Sequence, residues 1–317
     1  MPNKIRTILI GTPEFAERIF RKFYDALNDQ FEIISIITAP DKPVGRKQVL
    51  TPSPVKLWAQ ENNLSVLQPD KIRKPEWIEK IKELSPDLII LTAYGQIIPQ
   101  EILAIPEHGA LNIHPSLLPK YRGASPIQSV ILNGEMETGV SLMIMDAEMD
   151  HGPILGNSKF EIRNSKITYK ELADELADSG ANLLITTLPN YVNGKIKPQE
   201  QDHSQATFCK LIKKQDGKID WNKPAEEIER MIRAFAGWPE SYTNFDDKVL
   251  KILEADFEDK KTEKKPGEVF LDENKNLSIQ TGNGILILKT LQLEGKKPMS
   301  AKDFLNGHKE IIGTILQ

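Results

Sequence analysis

The sequence holds a single cysteine, Cys209, among 317 residues. One thiol cannot close an internal disulfide and cannot supply half of a paired-cysteine zinc site, which fits a reducing compartment. Long apolar runs are also missing. No stretch approaches the roughly 18 residues that a bilayer span requires, and the opening MPNKIRTILIG lacks the extended apolar core and small-residue cleavage site of a secretory leader. The expectation is a cytoplasmic protein with no membrane association. Positive charge is not in excess either: Lys and Arg total 41 against 45 Asp and Glu, a net charge of −4. Residues 1–207 hold 22 cations to 26 anions and residues 208–317 hold 19 of each, so a nucleic-acid partner would have to be held by local patches rather than by a chain-wide basic field.

Several motifs are absent as well. The first strand-turn-helix signal reads GTPEFA from Gly11; it lacks the second and third glycines of GxGxxG, and no GxxxxGK[ST] occurs, so NAD and ATP are unsupported. The histidines at 108, 114, 151, 203 and 308 form neither HxH nor HExxH pairs, and no metal is expected. No GxSxG elbow points to a serine nucleophile.

The composition that remains, 39% hydrophobic and 27% charged, is that of a globular protein, with length for two domains. IRTILI (5–10) is an apolar run; Pro13 then opens EFAERIFRKFYDAL, whose apolar residues recur at helical spacing. Further runs are IISIIT (33–38), DLIILTA (87–93) and GALNIH (109–114), with helices predicted near 54–62 and 74–84. This alternation predicts an α/β, doubly wound Rossmann-like parallel sheet covered on both faces. Ligands of such sheets bind beyond the carboxyl ends of the strands, so residues 94–96 and 114–116 should face one crevice. After a helix near 168–192, polar residues 194–207 read as a linker. A catalytic domain over 1–193 is thus expected to precede a smaller domain over 208–317, where one amphipathic helix (225–236) and the runs VLKILEA, LSIQT and ILILKTLQL predict a small β-barrel.

The densest polar cluster in an apolar setting lies in ALNIHPSLLPKYRGASP. Strand alternation puts Asn112 and His114 on one face, with Ile113 opposite and Ser116 just beyond. Asp150, in the turn MDAEMDHGPIL, follows His114 by 36 positions (150 − 114) and can orient and charge an imidazole. A lone strand histidine is ordinarily a core residue. With Asn two positions before it and an Asp-Gly-containing turn to pair with, the catalytic reading is the stronger.

The stretches GTPEFA, PDKPVGRKQVLTPSPVK, AYGQIIP, LNIHPSLLPKYRGASPI, ETGVSLMIMDAEMDHGPIL, IDWNKPAEEIERMIRAFAGWP and GKKPMSAKDFL resemble the methionyl-tRNA formyltransferases from end to end. The Asn-x-His pair with a later Asp is shared with the wider folate-dependent formyltransferases, including sugar-amine enzymes, and so marks only the reaction class. The insert after the second strand and the C-terminal domain narrow it. The resemblance implies a Rossmann-like formyltransferase domain followed by an OB-like barrel that binds tRNA, in a cytoplasmic monomer. It also implies 10-formyltetrahydrofolate as co-substrate and initiator methionyl-tRNA as partner. By the same resemblance Asn112, His114 and Asp150 are catalytic; Tyr94, Gly95, Ile97, Ser116, Leu117, Leu118 and Pro119 line the folate pocket; and Lys42, Arg46 and Lys47 contact tRNA.

The chemistry expected is attack of the methionine amine on the formyl carbon, which puts negative charge on the formyl oxygen. Asn112 and His114 can donate to that oxygen, a single such donor being worth ~10²–10³ in rate. Asp150 favours the imidazolium and helps move the proton from the amine.

Overall fold

The computed structural model describes residues 4–44 and 48–317. The chain divides into two compact units: Met1–Pro126 with Glu137–Glu161 and Ala173–Cys209, and Ile127–Met136 with Ile162–Leu172 and Lys210–Gln317. In chain order through residue 209 the elements are β1 (Ile5–Ile10), α1 (Glu14–Leu27), β2 (Phe31–Ile37), β3 (Lys42–Val44), β4 (Val49–Thr51), α2 (Pro54–Glu61), β5 (Val66–Leu67), α3 (Pro75–Glu83), β6 (Leu88–Leu91), α4 (Gln100–Leu103), β7 (Ala110–His114), β8 (Arg122–Gly123), α5 (Pro126–Leu132), β9 (Glu137–Ile144), β10 (Ile154–Glu161), α6 (Tyr169–Val192) and β11 (Phe208–Cys209).

The first unit is built on a seven-stranded sheet ordered β10-β9-β7-β6-β1-β2-β5. Strands β5, β2, β1, β6 and β7 are parallel. Ile8, Leu9 and Ile10 of β1 have no exposed surface, as a strand covered on both faces requires. Helix α1 buries Ala16, Ile19, Phe20, Phe23 and Leu27, spaced at the helical period. Gly11 joins the two elements because nothing larger fits: a Cβ there would lie 2.6 Å from Ala16 Cβ and 2.8 Å from the Thr92 carbonyl oxygen. This glycine serves strand-helix packing, in a turn that lacks the dinucleotide fingerprint.

The sheet departs from the all-parallel expectation at one edge, where β9 runs antiparallel to β7 and β10 antiparallel to β9. For β10 the reason is connection length: only residues 145–153 separate it from β9, and a parallel neighbour would need a crossover of a dozen or more residues.

The second unit carries α7 (Ala225–Ala234), β12 (Ser241–Phe245), β13 (Lys248–Glu258), β14 (Val269–Leu271), β15 (Leu277–Gln280), β16 (Ile285–Leu293), β17 (Met299–Ser300) and α8 (Ala301–Gly307). Its antiparallel sheet is ordered β12-β13-β16-β15-β14, with β17 beside β16. Register shifts at Ile252/Glu254 and Glu254/Ala255 curl β13, as bulges do. The result is an OB-like sheet around a core that includes Trp221, Ile228, Ile252, Leu288 and Phe304. Among the described residues no helix is long and apolar enough to cross a membrane.

Candidate functional site

Strand β7 places Asn112 and His114 side by side on one face, 7% and 4% exposed. Its neighbours hold it in register: Asn112 lies opposite Leu91 of β6 and Met143 of β9. The Thr92 hydroxyl donates to the Ile113 carbonyl at 2.8 Å, tying the end of β6 to the end of β7. The loops that follow these two strands therefore leave the sheet together, as expected for residues 94–96 and 114–116.

The β9–β10 turn folds back so that Asp150 reaches both side chains. The Asn112 amide donates to Asp150 Oδ1 at 3.2 Å. His114 Nδ1 lies 3.6 Å from Asp150 Oδ2, too far for a hydrogen bond but within ion-pair reach. The Gly123 amide donates to Asp150 Oδ2 at 2.8 Å. Asp150 itself has φ +49°, a left-handed conformation that Asp adopts more readily than most residues. On the far side of the imidazole, Nε2 lies 2.9 Å from the Tyr121 carbonyl oxygen. A carbonyl only accepts, so Nε2 carries a proton there, and a second proton, if taken up, sits on Nδ1 facing the carboxylate.

The expected folate-pocket residues fall on two loops. Ser116 is fully buried, and its hydroxyl donates to the Lys120 carbonyl at 2.7 Å. Its own carbonyl accepts from Ser141, whose hydroxyl oxygen accepts from Leu118 N. Leu117 and Pro119 are half-buried and Leu118 is buried. The second loop turns through Ala93 and Gly95 at φ +47° and +83°. Tyr94 is buried, which pushes its phenol up to about 12. Gln96 bridges the loop inward, accepting from Ile72 N and donating to the Pro69 carbonyl. Ile97 is 86% exposed, an apolar side chain left open where the loop crests.

Of the expected tRNA-contacting residues, Lys42 is exposed on β3, which pairs with β4 as a hairpin. Arg46 and Lys47 lie outside the described residues. Lys56 at the start of α2 is held by Asp41 at 2.7 Å, and this ammonium, together with the Gln68 amide, draws the Asp41 carboxyl below its ordinary value. Among the described residues no group of three or more His, Cys, Asp or Glu is arranged to hold a metal ion.

Reasoning from sequence missed the groups that hold the site. β11 pairs with β8 so closely that a Cβ on Gly123, at φ +112°, would lie 2.4 Å from the Cys209 carbonyl oxygen. Arg122 is 3% exposed and donates to Gln201 Oε1 at 2.7 Å and to His203 Nδ1 at 2.8 Å. The His203 ring stacks on His151 at 3.9 Å, and His151 Nδ1 lies 2.7 Å from Asp146. Apart from the local His151–Asp146 pair, these contacts have no local sequence signal, because each joins segments far apart along the chain.

Comparison with known proteins agrees with this architecture. Residues 3–188 match the family described as formyl transferase, and residues 211–309 match the formyl transferase C-terminal domain. The methionyl-tRNA formyltransferase of Clostridium novyi (strain NT) is 40% identical over 99% of this chain and 100% of its own length. That of Bacillus velezensis is 40% identical over 98% of this chain and 97% of its own. Among solved structures, the fold is similar to that of the methionyl-tRNA formyltransferase from Clostridium thermocellum (TM-score 0.56, 19% identity, 81% of this chain and 95% of that one). It is also similar to HypX from Aquifex aeolicus in complex with tetrahydrofolic acid (TM-score 0.63, 18% identity, 98% of this chain). The chain spans 48% of that HypX chain.

Proposed function

The chain belongs to the methionyl-tRNA formyltransferases: it transfers the formyl group of 10-formyltetrahydrofolate to the amino group of initiator methionyl-tRNA, and we propose that Asn112, His114 and Asp150 carry that transfer. The observation behind the proposal is that one carboxylate, Asp150, touches both the Asn112 amide and the His114 imidazole at the end of β7. Bound 10-formyltetrahydrofolate supplies an activated formyl carbon; the chain supplies orientation and electrostatics.

Asn112 spends one N–H on Asp150 and keeps its second for the charge that develops on the formyl oxygen. His114 adds its Nε2 proton, because an anionic oxygen competes well against the neutral Tyr121 carbonyl that accepts it otherwise. Asp150 stabilises the imidazolium across the Nδ1 contact, and together they take the proton released by the attacking amine; as the tetrahedral carbon collapses, its bond to N10 breaks and that proton passes to N10 of the departing tetrahydrofolate. The folate fits the two loops above these strands. Ile97 offers an exposed apolar surface, and nothing lies within 4 Å of the space above Gly95. Tyr94, Gly95, Ile97, Ser116, Leu117, Leu118 and Pro119 form this pocket, although the Ser116 hydroxyl acts through its own loop.

Lys42, Arg46 and Lys47 hold the tRNA on the insert after β2. The functional division runs over 1–193, 194–207 and 208–317, supported by the two family matches on either side of residue 200. The enzyme works as a cytoplasmic monomer. An assay comparing methionyl-tRNA with an amino-sugar nucleotide as acceptor tests the assignment. Turnover on methionyl-tRNA alone is expected; turnover on the sugar amine would move the chain to another branch of the formyltransferases.

A further inference from the structure

The turn that delivers Asp150 is held by an amide from a distant segment. Gln201, 6% exposed, donates from Nε2 to the Asp150 carbonyl at 2.9 Å and to the Gly152 carbonyl at 2.7 Å. Its Oε1 accepts two bonds from Arg122, from Nε at 3.2 Å and from a terminal guanidinium nitrogen at 2.7 Å. These partners fix which end of the amide is which, since a guanidinium only donates and carbonyls only accept. No other side chain of this length offers one acceptor and two donors, so glutamine is matched to the position in a way that glutamate and methionine are not. The turn is also braced from the opposite side: a Cβ on Gly152 would lie 2.0 Å from the Ile144 carbonyl oxygen.

We propose that Gln201, oriented by Arg122, is a positioning residue for formyl transfer, fixing the Asp150 main chain in its left-handed conformation so that the carboxylate meets Asn112 and His114. The inference rests on the catalytic assignment of Asp150. Gln201 makes its hydrogen bonds to the Asp150 and Gly152 carbonyls and to Arg122 rather than to the Asn112, His114 or Asp150 side chains; it acts through the main chain of the turn. Displacement of a reacting group by about 1 Å costs on the order of a hundredfold in rate, whereas none of the four hydrogen bonds of this amide reaches the folate loops.

The test uses the full-length enzyme with Gln201→Glu, which keeps the acceptor for Arg122 and loses both donors, and with Gln201→Met, which loses all. Each is made alone and in an Asp150→Asn background. Expected for the single variants is a kcat lowered about tenfold to a hundredfold, with KM for 10-formyltetrahydrofolate within about twofold and a cooperative melt retained. In the Asp150→Asn background the same substitutions should change kcat by less than about threefold, because the group they position is already gone. Single variants with wild-type kcat would overturn the proposal, as would losses that multiply in full in the double variants. Failure of both single variants to fold would assign Gln201 to the structure at large and overturn it too. If Asp150→Asn itself keeps wild-type turnover, the catalytic assignment fails instead, and the two failures are distinguished within the same set of proteins.

Discussion

Replacing Asp150 by Asn keeps the shape of the side chain and changes one oxygen to an amide nitrogen. The two carboxylate oxygens accept from different donors, the Asn112 amide and the Gly123 backbone N–H. An Asn at 150 can present its single oxygen to only one of them, so its amino group must face the other. That juxtaposition leaves a buried donor unsatisfied at a cost of about 1–3 kcal/mol. Rotation of the Asn112 amide relieves it, but moves that residue's N–H groups off their present line. The larger effect is on charge. When the imidazolium forms, the carboxylate 3.6 Å away attracts it by about 5 kcal/mol at an effective dielectric of 20, and the amide does not. Desolvation offsets part of this, so kcat should fall between about a hundredfold and a thousandfold, at 1.36 kcal/mol per tenfold. Single-turnover transfer of labelled formyl from 10-formyltetrahydrofolate to methionyl-tRNA reads the chemical step directly. A variant that folds yet keeps more than about a tenth of the wild-type rate would refute the reasoning.

Tyr94 gives a prediction in the alkaline range. Burial raises its phenol to about 12 from an ordinary value of 10.0, so the stabilising contribution of the neutral form is complete below pH 10 and is lost as pH rises through about 12. The loss amounts to roughly 3 kcal/mol at 1.36 kcal/mol per pH unit, and Tyr94→Phe, measured by denaturant unfolding at several pH values, should lack that part of the decline. On the insert, Lys42→Ala and Arg46→Ala should each flatten the salt dependence of tRNA affinity by about one unit of slope or less while leaving folate affinity unchanged. Lys56→Met should leave the slope as it is, because that ammonium is already paired with Asp41; a larger effect from Lys56 than from Lys42 would mean that the wrong cations have been assigned to the tRNA.

The sequence revealed some parts of this fold clearly and others not at all, and the division follows the range of the interactions. β1 and β7 coincide with apolar runs, since a strand buried on both faces writes its burial into consecutive residues, and the first four residues of β16 do the same before its burial begins to alternate. The pairing of Asn112 with His114 follows from strand alternation, a local rule. The hairpin of β3 and β4 left no such mark: Val49 and Leu50 are apolar yet 59% and 67% exposed, so no burial pattern distinguishes them from a loop. The antiparallel edge was likewise hidden, because β9 pairs with β7 and β10 with β9 through long-range contacts that the composition of either strand does not record.

The linker shows most plainly why local patterns stop short of the site. Residues 194–207 are polar and aperiodic, which read as a connection between domains. Yet Gln199 pairs with Ile154, Gln201 holds the carbonyls of Asp150 and Gly152, and the backbone of Thr207 accepts from Arg122. Each bond is made by a backbone group or an amide whose partner lies 45 or more positions away, and hydrogen bonding of that kind imposes no hydrophobic period. A buried polar segment and a solvated one are then written with the same residue types, and what separates them is whether the donors and acceptors find partners. In this chain the segment with the weakest sequence signal holds the turn that carries Asp150, so substitutions in residues 194–207 that look neutral by composition should be sorted by whether they keep the acceptor and the two donors of Gln201.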